Sequence, residues 1–105
     1  MLFAIHALDR TGALPTRLAN YDAHKAFLSD TSRFGVKIVM SGPLVSDDGQ
    51  TMIGSLFLIE APGRAEVEAF NRADPFAVQM CKKMVTLAAM APNGIHVPRM
   101  NAVRP

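Results

Sequence analysis

Two strand-length runs, residues 2–8 and 52–60, are apolar on both of their alternating sides. In the first, Phe3, Ile5 and Ala7 alternate with Leu2, Ala4 and Leu8; in the second, Ile53, Phe57 and Ile59 alternate with Met52, Leu56 and Leu58. Successive side chains of a strand point to opposite faces, so a sheet built on these runs needs cover on both faces. Helices folded onto one face leave the other bare, and a bare apolar face of that size invites association. The expectation is a homodimer joined face to face through its sheets.

The rest of the chain supplies the helices. Asp9-Arg10-Thr11-Gly12 takes the first run into a loop. Arg17 to about Phe34 carries helical periodicity, and Gly35 follows as a stop because glycine accepts the positive φ that closes many helices. A second strand covers Val36–Met40, with Ser41-Gly42-Pro43 interrupting it. Ser46-Asp47-Asp48-Gly49-Gln50 suits a hairpin turn into the third strand, Met52–Glu60. Pro62 fits the first turn of a helix, Arg64–Arg72 forms a second amphipathic stretch, and Asp74-Pro75-Phe76 ends it. One more helical turn, Ala77 to about Lys82, precedes a fourth strand at about Met84–Ala89. The order β-α-β-β-α-β predicts an α+β, ferredoxin-like sandwich, an antiparallel sheet with two helices on one face. The segment from Pro92 to Pro105 has three prolines and no clean period, so it reads as an irregular tail behind a domain of residues 1–91.

Composition narrows the function classes. A chain of 105 residues, half of them apolar, holds one domain with a real core. Its formal charge of +2 is spread among acidic residues with no run of Lys or Arg, so a nucleic-acid surface is not expected. No segment reaches the roughly 20 apolar residues of a membrane span. The N-terminus enters directly into strand pattern without a basic leader, and a cytoplasmic chain is expected. Cys81, the single cysteine, gives no disulfide framework and reads as a small buried hydrophobe in a reducing compartment. Three histidines without i, i+4 spacing, and no Cys-x-x-Cys pair, give no expectation of a metal site.

Two residues can carry chemistry together. At about 100° per residue the first helix gathers Leu18, Tyr21, Phe27, Leu28 and Thr31 on an apolar arc with His24 near its middle. Asp22, Lys25, Ser29 and Arg33 fall on the other side. Arg17, seven residues before His24, shares its side, where the stem can lie on apolar surface with the head at the edge. An inward imidazole needs a partner, since an unpaired buried polar group costs about 1–3 kcal/mol. Asp74 stands before Pro75, a pairing that resists continuing a helix and fixes the carboxylate on a rigid turn. A carboxylate so held can orient an imidazole as a general base near neutral pH. Blander roles stay open: His24 bonded to a backbone carbonyl or to Tyr21, and Asp74 as a helix cap. Ser41-Gly42-Pro43 can present backbone N–H groups to a ligand, but Ser41 lacks the nucleophile-elbow pattern of an acyl-enzyme. His6, opposite Phe3 and Ile5, suits interface packing, and His96 lies in the tail.

Taken together, the Met1-Leu2-Phe3-Ala4-Ile5 strand, the Arg17–His24 spacing, Ser41-Gly42-Pro43 after the second strand and Ala73-Asp74-Pro75-Phe76 resemble the YCII-related family over about residues 1–90. The resemblance implies a dimeric α-β barrel of ferredoxin-like protomers, with a cleft in which His24 and Asp74 form an acid/base pair. It also implies that Arg17 and the Ser41-Gly42-Pro43 turn occupy neighbouring cleft positions; these residues and Phe76 are expected to bind the substrate, and no cofactor is expected to be required. A few such proteins act on hydroxylated or chlorinated aromatic ring-cleavage intermediates, dehydrochlorination among the reactions. The chain departs from the family pattern at Asp22-Ala23, where Pro-Ala is expected before the histidine. Two functions follow. In one, a lyase- or isomerase-like enzyme, His24 moves a proton, Asp74 orients and supports it, Arg17 attracts an anionic substrate, and N–H groups at Ser41-Gly42 stabilise an oxyanion. In the other, a non-catalytic small-ligand or partner-binding domain, the same pair is a satisfied polar network.

Overall fold

Four strands form one antiparallel sheet in the computed structural model, which describes residues 1–79 and 81–91. The strands are β1 (Leu2–Asp9), β2 (Lys37–Val45), β3 (Met52–Glu60) and β4 (Lys82–Met90), in the spatial order β2-β3-β1-β4. Helices α1 (Leu14–Ala19) and α2 (Tyr21–Leu28) join β1 to β2, and α3 (Arg64–Ala73) and α4 (Pro75–Val78) join β3 to β4. This is the expected ferredoxin-like arrangement. The expected irregular tail from Pro92, with His96, lies outside the described residues.

Register explains the two-sided apolar pattern. Phe3 opposes Ile59 and Ile5 opposes Phe57, and all four are buried. They meet Phe27 of α2 and Val67 and Phe70 of α3 in one core, where the Phe70 ring stands 5.7 Å from Phe57 at 85°. Each such aromatic side chain contributes about 1.5–3 kcal/mol on burial. On the opposite face Leu2, Ala4, His6 and Leu8 oppose Glu60, Leu58, Leu56 and Gly54 of β3 and Met90, Ala88, Thr86 and Met84 of β4, respectively. No described helix covers that face, and Met40 and Met84 on it are 55% and 56% exposed. Among the described residues no helix is long and apolar enough to cross a membrane.

Four boundaries differ from the sequence expectation. The single helix expected over Arg17–Phe34 is in fact α1, α2 and a 3-10 turn at Ser32–Phe34. Asn20 bends the chain between the first two, its side-chain amide donating to the Thr16 carbonyl at 2.8 Å. Asp30 then closes the region by accepting both the N–H and the hydroxyl of Ser32, side-chain bonds that compete with helix continuation. As a result Leu18 and Tyr21, expected on the apolar arc, are exposed. Gly35 does terminate the segment, with φ at 71° in the left-handed region.

Ser41-Gly42-Pro43 does not interrupt the second strand. β2 runs through it, with Ser41 opposite Phe57 and Pro43 opposite Ser55. The proline is tolerated because β2 is an edge strand, where a missing N–H need not break a ladder. Near the other end of the chain, Pro62 precedes the Gly63 cap of α3 rather than entering its first turn. The short helix expected at Ala77–Lys82 instead occupies Pro75–Val78. It starts earlier because Asp74 caps it, its carboxylate accepting the Phe76 N–H at 3.0 Å, while Pro75 fills the first helical position.

Candidate active site

α2 and the α3–α4 junction bring the expected pair together. His24 Nδ1 lies 2.8 Å from Asp74 Oδ1 across 50 residues of sequence, and both side chains are buried. The same Asp74 oxygen accepts the Phe76 N–H, so the turn that ends α3 and caps α4 also aims the carboxylate at the imidazole. The Phe76 ring stacks on His24 at 4.0 Å and 13° between planes, and Phe57 approaches edge-on at 6.2 Å. These contacts fix the imidazole plane. With an ionised Asp74 as acceptor, the proton sits on Nδ1 and the lone pair on Nε2, where no protein partner stands among the described residues.

Arg17 of α1 is only 1% exposed, not at the edge of the apolar surface as expected. Its Nε donates to Asp9 Oδ2 at 2.7 Å, and its Nη2 donates to Asp9 Oδ1 at 3.1 Å and to Ser55 Oγ at 2.8 Å. The fork-to-carboxylate geometry neutralises the guanidinium inside the protein. Its carbon centre also rests 4.4 Å over the Phe76 ring, tying the arginine to the ring that stacks on His24. Nη1 has no protein partner among the described residues.

These groups border a cleft of about 170 Å³ between α1–α2 and the helix-side face of β2 and β3. Arg17, Tyr21, His24, Lys25 and Leu28 line it from the helices. Ser41, Gly42 and Pro43 line it from β2, and Ser55 and Phe57 from β3. Of the residues expected around a substrate, Arg17 and Ser41 to Pro43 reach the cleft directly. Phe76 sits behind it, supporting His24 and Arg17. Two other hollows, beside α3–β4 and beside the loop at residues 10–14, hold no histidine. His6 is exposed on the outer sheet face, opposite Leu56 and Thr86.

The sequence reading missed Asp9, Ser55 and Lys25. A signal existed for the first two: Asp9 continues the core-facing set Phe3, Ile5, Ala7, and Ser55 interrupts the set Ile53, Phe57, Ile59. A polar residue at a core-facing position calls for a buried partner. Lys25, expected on the solvent side of the helix, is exposed there and also borders the cleft. Cys81 lies buried beside this network, and its thiol is pushed up by desolvation first and by the Asp9 carboxylate second, with Arg17 opposing.

The sequence profile of the YCII-related domain matches residues 1–87. Among solved structures, the chain is similar to 5-chloro-2-hydroxyhydroquinone dehydrochlorinase (TftG) from Burkholderia phenoliruptrix AC1100, determined in complex with 2,5-dihydroxybenzoquinone. The two are 33% identical over 87% of this chain and 94% of that one, with a TM-score of 0.76. It is also similar in fold to an antibiotic biosynthesis monooxygenase, 18% identical over 88% of this chain and 100% of that one, with a TM-score of 0.51. No curated protein matches the chain significantly. The protomer fold is that of the dimeric alpha-beta barrel class.

Proposed function

Because the chain belongs to the YCII-related domain family, we propose that it is a small enzyme of lyase or isomerase type that moves a proton on a small anionic or aromatic-derived metabolite. The observation that carries this reading is His24: its Nδ1 is held by Asp74, and its Nε2 is left without a partner among the described residues on a buried side chain that lines a cleft. A buried polar atom left open in this way fits a substrate as its missing partner. The likeness to a dehydrochlorinase supports the same reaction style.

In this reading Nε2 takes a proton from the substrate and Asp74 stabilises the imidazolium that forms. The electron pair left behind either expels a leaving group as its anion or accepts the proton back at another atom. The first outcome is an elimination and the second an isomerisation; neither needs a cofactor. Arg17, its charge already matched by Asp9, offers Nη1 N–H groups to a substrate oxygen. Ser41, Gly42 and Pro43 wall the cleft on the side away from α2, and the Ser41 hydroxyl can hold a second oxygen. We also infer that two protomers pack through their outer sheet faces, and that the chain works in the cytoplasm, where a buried free Cys81 stays reduced.

Turnover of chlorinated and hydroxylated hydroquinones, followed by halide release and by absorbance, tests the assignment. His24→Ala is expected to lose about 10²–10⁴ in rate while the protein stays folded. Asp74→Asn is expected to lose less and to keep ligand affinity, because an amide oxygen can still accept from Nδ1–H without supporting the imidazolium charge. Undiminished turnover in folded His24→Ala would remove His24 as the base. A wild type that binds these compounds and converts none is a ligand-binding domain.

A further inference from the structure

We propose that Lys25 is the residue that selects for negative charge in the substrate, and that the cleft admits a single-ring anion; this rests on reading the cleft as a proton-transfer site. Three basic side chains border the cleft, and two of them are already matched from behind. Arg17 is closed on Asp9 by two hydrogen bonds, and His24 is held by Asp74. Lys25 is exposed and forms no ion pair among the described residues. Its ammonium stands 5.6 Å from the centroid of the Tyr21 ring, another residue of the cleft wall.

Position on the helix explains the division. Lys25 follows His24 directly, so its side chain leaves α2 about 100° further round. The imidazole therefore turns into the protein while the ammonium stays at the mouth. A neutral Arg17–Asp9 pair presents a dipole and N–H donors to a ligand, whereas Lys25 presents a net charge. Discrimination between a neutral ring and its anion thus falls to Lys25. Size is compatible with this: a cavity of about 150 Å³ accommodates benzene, and the cleft here, about 170 Å³ and open to solvent, has room for one substituted ring.

Binding of 2,5-dihydroxybenzoquinone, a vinylogous acid ionised at neutral pH, is compared with binding of neutral hydroquinone. The comparison uses the wild type, Lys25→Met and Lys25→Arg, at low and at high salt. The wild type should prefer the anion. Lys25→Met should weaken anion binding by about three- to fivefold, the scale of an exposed charge pair, and leave hydroquinone unchanged. Lys25→Arg should restore the preference. Salt should erode the preference of the wild type and of Lys25→Arg, because an exposed charge is screened, and leave Lys25→Met flat. Equal anion affinity in the wild type and Lys25→Met overturns the proposal, as does a wild type that prefers the neutral ring. The readout is binding alone, so a wild type with Lys25-dependent anion binding and no turnover keeps this proposal while removing the enzyme assignment.

Discussion

At the scale of single residues, the site is built from pairs in which one member is hidden behind the other. Asp74 stands behind His24 and Asp9 behind Arg17, each carboxylate buried and each held by geometry rather than by solvent. The His24–Asp74 pair was legible in the sequence because Pro75 marks a turn and an inward histidine demands a partner. The Arg17–Asp9 pair was not, since eight residues of loop and helix separate the two and nothing in a periodic pattern says that the loop folds back. The environment they create also fixes the state of Cys81. Desolvation and the Asp9 carboxylate raise its thiol, so in the folded protein it should resist a soluble disulfide reagent near neutral pH and react at once in urea. The sign for stability follows: the contribution is present below the ordinary thiol pKa of about 8.5 and is lost as pH rises through the higher folded value. Comparing thiol-labelling rates of native and urea-unfolded protein checks this, and equal rates would place Cys81 at the surface.

Elements show where periodicity is a good guide and where side-chain hydrogen bonds override it. The span of β3 followed from its two-sided apolar run and the Asp-Gly turn before it, and α3 ends within one residue of its expected limit. The first helix did not follow, because Asn20, Ser29 and Asp30 bond to nearby backbone or side-chain groups, and hydropathy does not register them. β2 was cut short on paper because Pro43 reads as a break unless the strand is known to be an edge. Sheet packing makes one glycine obligatory. A Cβ on Gly54 would run into the Ala7 carbonyl oxygen of β1 and crowd Leu44 of β2 at 3.2 Å. Gly54→Ala should therefore destabilise the fold by about 1–3 kcal/mol, the usual cost of overpacking. A shift of the urea midpoint at fixed protein concentration measures it, and an unchanged midpoint would mean that the β1–β3 spacing relaxes freely.

For the whole molecule, the sheet has one face covered by helices and one left bare by the described residues. The bare face presents Leu2, Leu56, Leu58, Met40 and Met84 with the small Ala4 and Ala88 between them, a surface that water leaves poorly accommodated. Sedimentation at micromolar concentration should return a dimer, and Leu56→Glu, on a half-buried position, should shift it toward monomer without unfolding it. A wild type that sediments as a monomer would overturn the pairing. The two-sided pattern in β1 and β3 made the apolar outer face legible in the sequence, whereas the cleft on the covered face was visible only through its chemistry. The same architecture separates what is rigid from what can change. The His24–Asp74 pair is anchored in α2 and the α3–α4 junction, wedged against core phenylalanines, while the opposite wall of the cleft is an edge strand joined to the sheet on one side only. Under the proposed function, substitutions along Ser41-Gly42-Pro43 would therefore reshape what the cleft accepts and leave the His24–Asp74 pair untouched, so a lineage built on this frame could acquire new ligands by editing its margin.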